Sequence, residues 1–167
     1  MDATLAPFHV LVVDDFAPWR HSVRSMLRRH AELRFVGEAA DGLEAVQKAK
    51  ELKPDLILLD IGLPNLNGIE AAKRIRRVSP STSIIFLAVN SDADVVRAAL
   101  DTGARGYVLK SDVGSELWPA IEAVFRDDHF VSSGLLECAD SDDRRFQILL
   151  NYLQSRFRHS RLRQAAI

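Results

Sequence analysis

The sequence predicts an α/β fold in which helices cover both faces of a five-stranded parallel sheet. Apolar runs typical of buried strands alternate with stretches of helical periodicity, and three of these runs end in charged residues. The clearest run, Leu56–Leu59, leads into Asp60, and Gly62 and Pro64 then prevent the strand from continuing. Uninterrupted apolar strands of this kind are typical of parallel sheets, whose strands are buried on both faces.

Four further strands are expected at residues 8–13, 33–39, 83–88 and 106–109, and a helix is expected after each strand. Pro18 suits the first turn of one helix, and Asp41 with Glu44 has the spacing of a capping pair at the start of the next. Strands that alternate with helices favour a doubly wound parallel sheet. The flavodoxin-like strand order 2-1-3-4-5 is expected, because it makes the first and third strands neighbours. Only then can the aspartates that follow these two strands, Asp14, Asp15 and Asp60, meet.

Charged residues follow three of the expected strands. The first strand ends in Asp14 and Asp15, the third in Asp60 and the fifth in Lys110. Ligands bind at the carboxyl edge of such sheets, where these side chains are expected to gather. Three clustered carboxylates repel one another and need a compensating cation, and hard oxygen ligands suit Mg²⁺. A magnesium site beside an aspartate and a lysine is suited to receiving a phosphoryl group.

Composition sets wider bounds on the class of protein. The chain has 167 residues and a formal charge of −1, which gives no general argument for binding nucleic acid or a membrane. Cys138 is the only cysteine, so no intrachain disulfide can form, which suits a reducing compartment. Residues 1–7 lack the features of a signal peptide, and no apolar run is long enough to span a membrane. We therefore expect a cytoplasmic protein.

Residues 8–128 resemble the receiver domain of bacterial two-component response regulators. The motifs that carry the resemblance are Val12–Asp15, Leu58–Pro64 with Gly68 following, and Gly103–Lys110. The stretch Gly37–Gly42 is similar to the subfamily whose regulators carry a helix-turn-helix output domain.

The resemblance implies a phosphoacceptor and a metal site. Asp60 is expected to accept a phosphoryl group from the phosphohistidine of a sensor histidine kinase. Asp15 and Asp60 would ligate Mg²⁺ directly, Asp14 would act through water, and Gly62 would contribute its backbone carbonyl. Holding the acceptor rigidly at a strand end is consistent with catalysis by positioning and charge stabilisation.

The resemblance also implies switch residues, and here the sequence departs from the family. Lys110 would pair with the phosphoacceptor and then with the phosphoryl oxygens, and Tyr107 would change rotamer between states. Family members carry Thr or Ser at the end of the fourth strand, but that position is Ala88, which has no hydroxyl to donate. A slipped register would bring Asn90 or Ser91 there instead, but the unbroken spacing argues against it.

Residues 1–7 are expected to be an N-terminal tail, and residues 129–167 a linker followed by a helical extension. Residues 129–135 are similar to the linker that precedes a DNA-binding domain, but the remaining residues are too few to form one. A helix is expected to start at Ser141–Asp143. Its apolar stripe comprises Phe146, Leu149, Leu150, Leu153 and Phe157. This extension is expected to pack on the receiver or to form a homodimer rather than to bind DNA, although its basic end leaves a weak nucleic-acid contact open.

The resulting hypothesis is a phosphoacceptor switch of a two-component phosphorelay that signals through protein–protein contacts and is not a dedicated enzyme. One alternative is a pseudo-receiver, a binding module that does not switch by phosphorylation, which Ala88 supports. Another is a hydrolase with an aspartyl nucleophile, similar to the haloacid dehalogenases. Those enzymes carry Asp-x-Asp after the first strand, whereas this chain carries Asp14-Asp15.

Overall fold

Strands and helices alternate along the chain in the computed structural model, which describes residues 6–137, 144–157 and 162–163. The strands are β1 (Phe8–Val13), β2 (Leu33–Ala39), β3 (Leu56–Leu59), β4 (Ser83–Ala88), β5 (Gly106–Leu109), β6 (His129–Val131) and β7 (Leu162–Arg163). The helices are α1 (Ala17–Leu27), α2 (Gly42–Leu52), α3 (Gly68–Val78), α4 (Ala93–Asp101), α5 (Val113–Phe125), α6 (Ser133–Glu137) and α7 (Arg144–Arg156). A 3₁₀ turn, Lys110–Asp112, precedes α5.

The strands form a parallel sheet in the order β2-β1-β3-β4-β5-β6-β7. This order contains the predicted 2-1-3-4-5 arrangement and confirms the α/β fold class. The chain divides into two compact units between Ile84 and Ile85. None of the helices in the described ranges has the length and apolarity that a membrane crossing requires.

In the first unit, β1 lies between β2 and β3 and pairs in parallel with both. All four residues of β3 are buried, and Val10–Val13 of β1 are at most 2% exposed. Both faces of these strands are therefore covered, as their continuous apolar sequences predict. The predicted capping pair is confirmed, because the Asp41 carboxylate accepts a hydrogen bond of 2.8 Å from the Glu44 amide at the start of α2.

In the second unit, β5 lies between β4 and β6. The prediction of five strands was wrong in number, because residues 129–131 form β6 where a linker was expected, and β7 pairs beside it. Phe130 donates its amide hydrogen to Arg105, and Ser132 donates to Tyr107. A three-residue strand is too short to show periodicity in sequence, and these bonds to β5 and the residue before it define it.

The C-terminal helix α7 buries part of the predicted apolar stripe. Leu149, Leu153 and Phe157 are at most 5% exposed, whereas Leu150 is half-buried. The Phe157 ring lies against His129, with 4.1 Å between the ring centres. The predicted helix start at residues 141–143 and the side chain of Phe146 fall outside the described part of the chain. The described portion of the stripe is therefore packed within the second unit rather than exposed.

Candidate functional site

Three carboxylates converge where β1 and β3 end. Val13 lies opposite Leu59 in the parallel register, so the residues that follow these strands emerge side by side. The Asp60 amide donates to the Val13 carbonyl at 3.0 Å. Carboxylate oxygens of Asp14, Asp15 and Asp60 all lie within 4.8 Å of one another. The structure thus brings together the three acids that the sequence placed at one edge of the sheet.

The three acids differ in their access to solvent and in what holds them. Asp14 and Asp60 are 1% and 8% exposed, whereas Asp15 is exposed. One carboxylate oxygen of Asp14 accepts a hydrogen bond of 2.8 Å from the Phe16 amide. The Asp14 carbonyl accepts one of 2.7 Å from the Arg20 guanidinium, which also lies 3.5 Å from Glu38. Arg20 therefore fixes the backbone of the β1–α1 turn, a role the sequence analysis missed.

The loop after Asp60 depends on a glycine. A Cβ added at Gly68 would lie 2.0 Å from the Asp60 carbonyl oxygen, closer than any side chain can approach. The Gly68 amide instead donates to the Ile61 carbonyl at 2.8 Å. The start of α3 is thereby held directly against the backbone that carries Asp60. Gly62 lies beside the carboxylate, since a Cβ there would be 3.9 Å from Asp60 Oδ2.

The donor set of this cluster fits a hard divalent cation. All three side chains offer oxygen, and the exposed Asp15 borders solvent that can complete the coordination of Mg²⁺, which usually retains several waters. Two of the carboxylates are buried, and like charges this close repel one another, a repulsion that a bound cation would reduce. The geometry is therefore suited to holding Mg²⁺ and, through it, an anionic group.

The residues expected to report on the state of the site lie in the second unit. Ala88 is 1% exposed at the end of β4 and pairs with Leu109, which agrees with the unslipped register. Phe86 lies opposite Tyr107 in the register, and side chains two apart on a strand share a face. Ala88, Phe86 and Tyr107 therefore occupy one face of the sheet. Lys110 directly follows β5 and opens the 3₁₀ turn.

Tyr107 is completely buried. Its ring centre lies 6.3 Å from that of Phe86, and its hydroxyl donates a hydrogen bond of 2.6 Å to the Asn90 carbonyl. Val89, between Ala88 and Asn90, is 80% exposed. Tyr107 is thus held inward and tied to the β4–α4 segment, a contact that the sequence analysis did not identify.

A buried carboxylate outside the acidic cluster was also missed. Glu116 is 3% exposed and accepts hydrogen bonds from the Ser132 hydroxyl at 2.6 Å and from the Ser133 amide at 3.1 Å. The Ser133 hydroxyl also donates to Glu116. Ser132 in turn accepts from the Leu109 amide at 2.9 Å. This network ties α5 and the end of β5 to the chain after β6. In the sequence, its only signal was the serine pair Ser132-Ser133, which follows two apolar residues.

Comparison with known proteins identifies the family of this chain. The family described as the response regulator receiver domain matches residues 10–122. This chain belongs to the response regulator receiver family. The response regulator protein VraR of Staphylococcus saprophyticus is 32% identical over 130 residues, which cover 78% of this chain and 62% of VraR. The chain therefore spans about three-fifths of the length of that relative.

Solved receiver structures superpose on much of the chain. A two-component response regulator of the LuxR family from Aurantimonas matches with a TM-score of 0.75 and 31% identity, covering 79% of this chain and 94% of that one. The isolated REC domain of RcsB from Salmonella enterica serovar Typhimurium, solved with the phosphomimetic BeF₃⁻, matches with a TM-score of 0.74 and 26% identity. That match covers 78% of this receiver and 97% of the RcsB chain.

Proposed function

We propose that this receiver is a phosphoacceptor switch and that Asp60 accepts a phosphoryl group from the phosphohistidine of a sensor histidine kinase. The carboxylate cluster of Asp14, Asp15 and Asp60 carries the proposal, because the proposed nucleophile lies beside two further carboxylates of a kind suited to Mg²⁺. In the transfer, the P–N bond of phosphohistidine breaks and its electron pair stays on the histidine nitrogen. A carboxylate oxygen of Asp60 forms the new P–O bond.

The proposed roles divide between the acids and the lysine. Asp15 and Asp60 would be the direct metal ligands, Asp14 would act through water, and Gly62 would contribute its carbonyl oxygen. When bound, Mg²⁺ supplies positive charge that offsets the charge on the transferring group. Lys110 pairs with the phosphoryl oxygens, and the contacts of Gly68 and Arg20 keep the loops around the acceptor in place.

Several wider features belong to the same proposal. Residues 8–128 form the receiver, preceded by a short tail and followed by an extension over residues 129–167. The protein acts in the cytoplasm, assists only its own phosphorylation and dephosphorylation, and signals through protein contacts. A second copy of this chain, bound through the C-terminal helix or the receiver face, is one candidate partner. We do not expect this chain to bind DNA.

The test is phosphorylation by acetyl phosphate with Mg²⁺, followed by intact-protein mass spectrometry. The wild-type chain should gain the mass of one phosphoryl group, and Asp60→Asn should gain none. Asp55→Asn is the matched control, because Asp55 directly precedes β3 and Asp60 directly follows it. Modification of Asp60→Asn to the same extent as wild type would place the acceptor elsewhere.

A pseudo-receiver is the second candidate function. It is favoured by Ala88, a buried residue that offers no hydroxyl on the face that carries Tyr107. In that case the chain would bind partners in one conformation whether or not Asp60 is modified. The two candidates differ in response rather than in fold, so they are separated by comparing conformation before and after modification.

A further inference from the structure

The C-terminal helix α7 is anchored on α4. The Tyr152 hydroxyl of α7 donates a hydrogen bond of 2.5 Å to the Asp101 carboxylate at the last residue of α4. The Arg97 guanidinium of α4 lies 5.5 Å from the centre of the Tyr152 ring, within range of a cation–π interaction. Burial, and then the bond to Asp101, raise the pKa of Tyr152 to about 12, so this hydroxyl keeps its proton at neutral pH.

The other end of α4 is tied to Tyr107. The Asn90 carbonyl accepts the Tyr107 hydroxyl, and the Asn90 side chain accepts the Asp92 amide at 2.7 Å. Asp92 caps α4 by accepting the Asp94 amide at 2.9 Å. A line of hydrogen bonds therefore runs from the buried tyrosine of β5, through the β4–α4 segment, to the first turn of the helix on which α7 is anchored.

We propose that α7 is an intramolecular ligand of α4, and that its docking is thermodynamically coupled to the inward position of Tyr107. α4 is the shared element, because Tyr107 acts on its N-terminal end and Tyr152 on its C-terminal end. Coupling between two sites is reciprocal, so whatever favours inward Tyr107 favours docked α7, and the reverse also holds.

Through this coupling, the position of Tyr107 controls how firmly α7 docks on α4, so the receiver acts on a helix of its own chain. A change in the Val89–Asp94 segment alters the surface of α4 on which α7 is anchored. In the docked helix, Leu149 and Leu153 are buried. A partner that requires the covered surface of α4 must therefore compete with α7. That phosphorylation drives this change rests on the proposed function of Asp60, whereas the coupling between Tyr107 and α7 does not.

The test uses the full chain without a phosphoryl donor. Tyr107→Phe removes the hydroxyl bound to Asn90 and keeps the ring, and it should speed amide hydrogen exchange in α7, at Leu149–Leu153, by about three- to tenfold. Tyr152→Phe removes the hydroxyl bound to Asp101. It should shift the NMR signals of the Tyr107 ring and of residues 89–94.

Matched controls separate coupling from general destabilisation. Ser155→Ala removes a hydroxyl that donates to the Tyr152 carbonyl within α7 itself, and it should leave the Tyr107 ring signals unchanged. Exchange at Val10–Val13 of β1 monitors global unfolding and should be the same in all variants. The double variant Tyr107→Phe/Tyr152→Phe should disturb α7 less than the sum of the two single changes.

Two results would overturn the coupling. One is an α7 exchange rate in Tyr107→Phe that is no faster than in Ser155→Ala, and the other is strict additivity in the double variant. Failure of acetyl phosphate to modify Asp60 would instead overturn the proposed function. It would leave the exchange results unaffected, because those are measured on the unphosphorylated chain.

Discussion

The strand ends of the two units carry different chemistry. In the first unit, β1 and β3 end in three aspartates whose oxygens lie within 4.8 Å of one another. In the second unit, β4 ends in Ala88, and the buried Tyr107 on the same face is bonded to the Asn90 carbonyl. The first set holds the carboxylates that the proposed phosphoryl transfer uses, whereas the alanine that ends β4 in the second unit has no hydroxyl to donate. We therefore expect that substitutions can alter phosphoryl acceptance and the conformational response separately.

The largest expected effect is on the loop that supports the acceptor. Gly68→Ala would place a Cβ about where the Asp60 carbonyl oxygen now packs, 2.0 Å away, so backbone must move. We expect the free energy of unfolding to fall by about 3 kcal/mol, as for severe overpacking. Urea denaturation measures this loss. Gly114→Ala is the control, because a Cβ there meets nothing within 4 Å and should leave stability unchanged or higher.

The charge of the acidic cluster is tested by Asp15→Asn. Asp15 is the exposed member, so its replacement should leave the fold intact while removing a charged ligand. We expect the dissociation constant for Mg²⁺, measured by titration calorimetry, to rise by more than about tenfold. Asp55→Asn should bind Mg²⁺ as the wild type does. Equal affinity in Asp15→Asn and wild type would show that the metal site lies elsewhere.

The packing of the extension should make stability depend on pH. Burial, followed by the charges of Arg105 and Arg156, lowers the pKa of His129 from 6.5 to about 4, although Asp127 and Asp128 oppose this. The folded chain thus keeps His129 neutral while the unfolded chain binds a proton as pH falls below about 6.5. The contribution of neutral His129 to the free energy of unfolding is therefore complete above pH about 6.5, and it is lost as pH falls from about 6.5 towards about 4.

We expect protonation of His129 to lower the free energy of unfolding by about 1 kcal/mol over this range. The loss is no larger because His129 is only half-buried and solvent screens the charges around it. Unfolding by urea at pH 7 and pH 5 measures the difference in wild type and in His129→Phe, which retains a ring to stack against Phe157. The variant should lose less stability between the two pH values. An identical loss in both would show that His129 does not titrate in this way.

The sequence predicted the first unit better than the second, and the reason is physical. β3 is a continuous apolar run, and the Asp41–Glu44 cap joins residues three apart, so both are encoded locally. The acidic site followed once the strand order was inferred. β6 and the seat of α7 depend instead on distant partners, since Tyr152 finds Asp101 across 51 residues. Such pairings leave no periodic signal in the sequence.

The smallest expected effect is on the conformational change of Tyr107 and residues 89–94 in the second unit. We expect BeF₃⁻ with Mg²⁺ to change the NMR signals of Tyr107 and residues 89–94 only slightly in the native chain, because Ala88 cannot donate a hydrogen bond to the ligand. The Tyr107 ring is already buried, which favours one state beforehand. Ala88→Thr restores a hydroxyl and should enlarge the ligand-induced change.

A hydrogen bond to a charged group contributes about 1.5–3 kcal/mol. If about half of that energy favours one conformational state of Tyr107 over the other, the ratio of the two populations changes about threefold or more. Ala88→Val is the matched control, since it has nearly the shape of threonine without the hydroxyl. If valine enlarges the ligand-induced change as much as threonine does, crowding of Tyr107 is responsible rather than the hydrogen bond. If the native chain already responds strongly and Ala88→Thr adds nothing, the coupling between Asp60 and Tyr107 is intact, and the pseudo-receiver hypothesis loses its only support in the sequence.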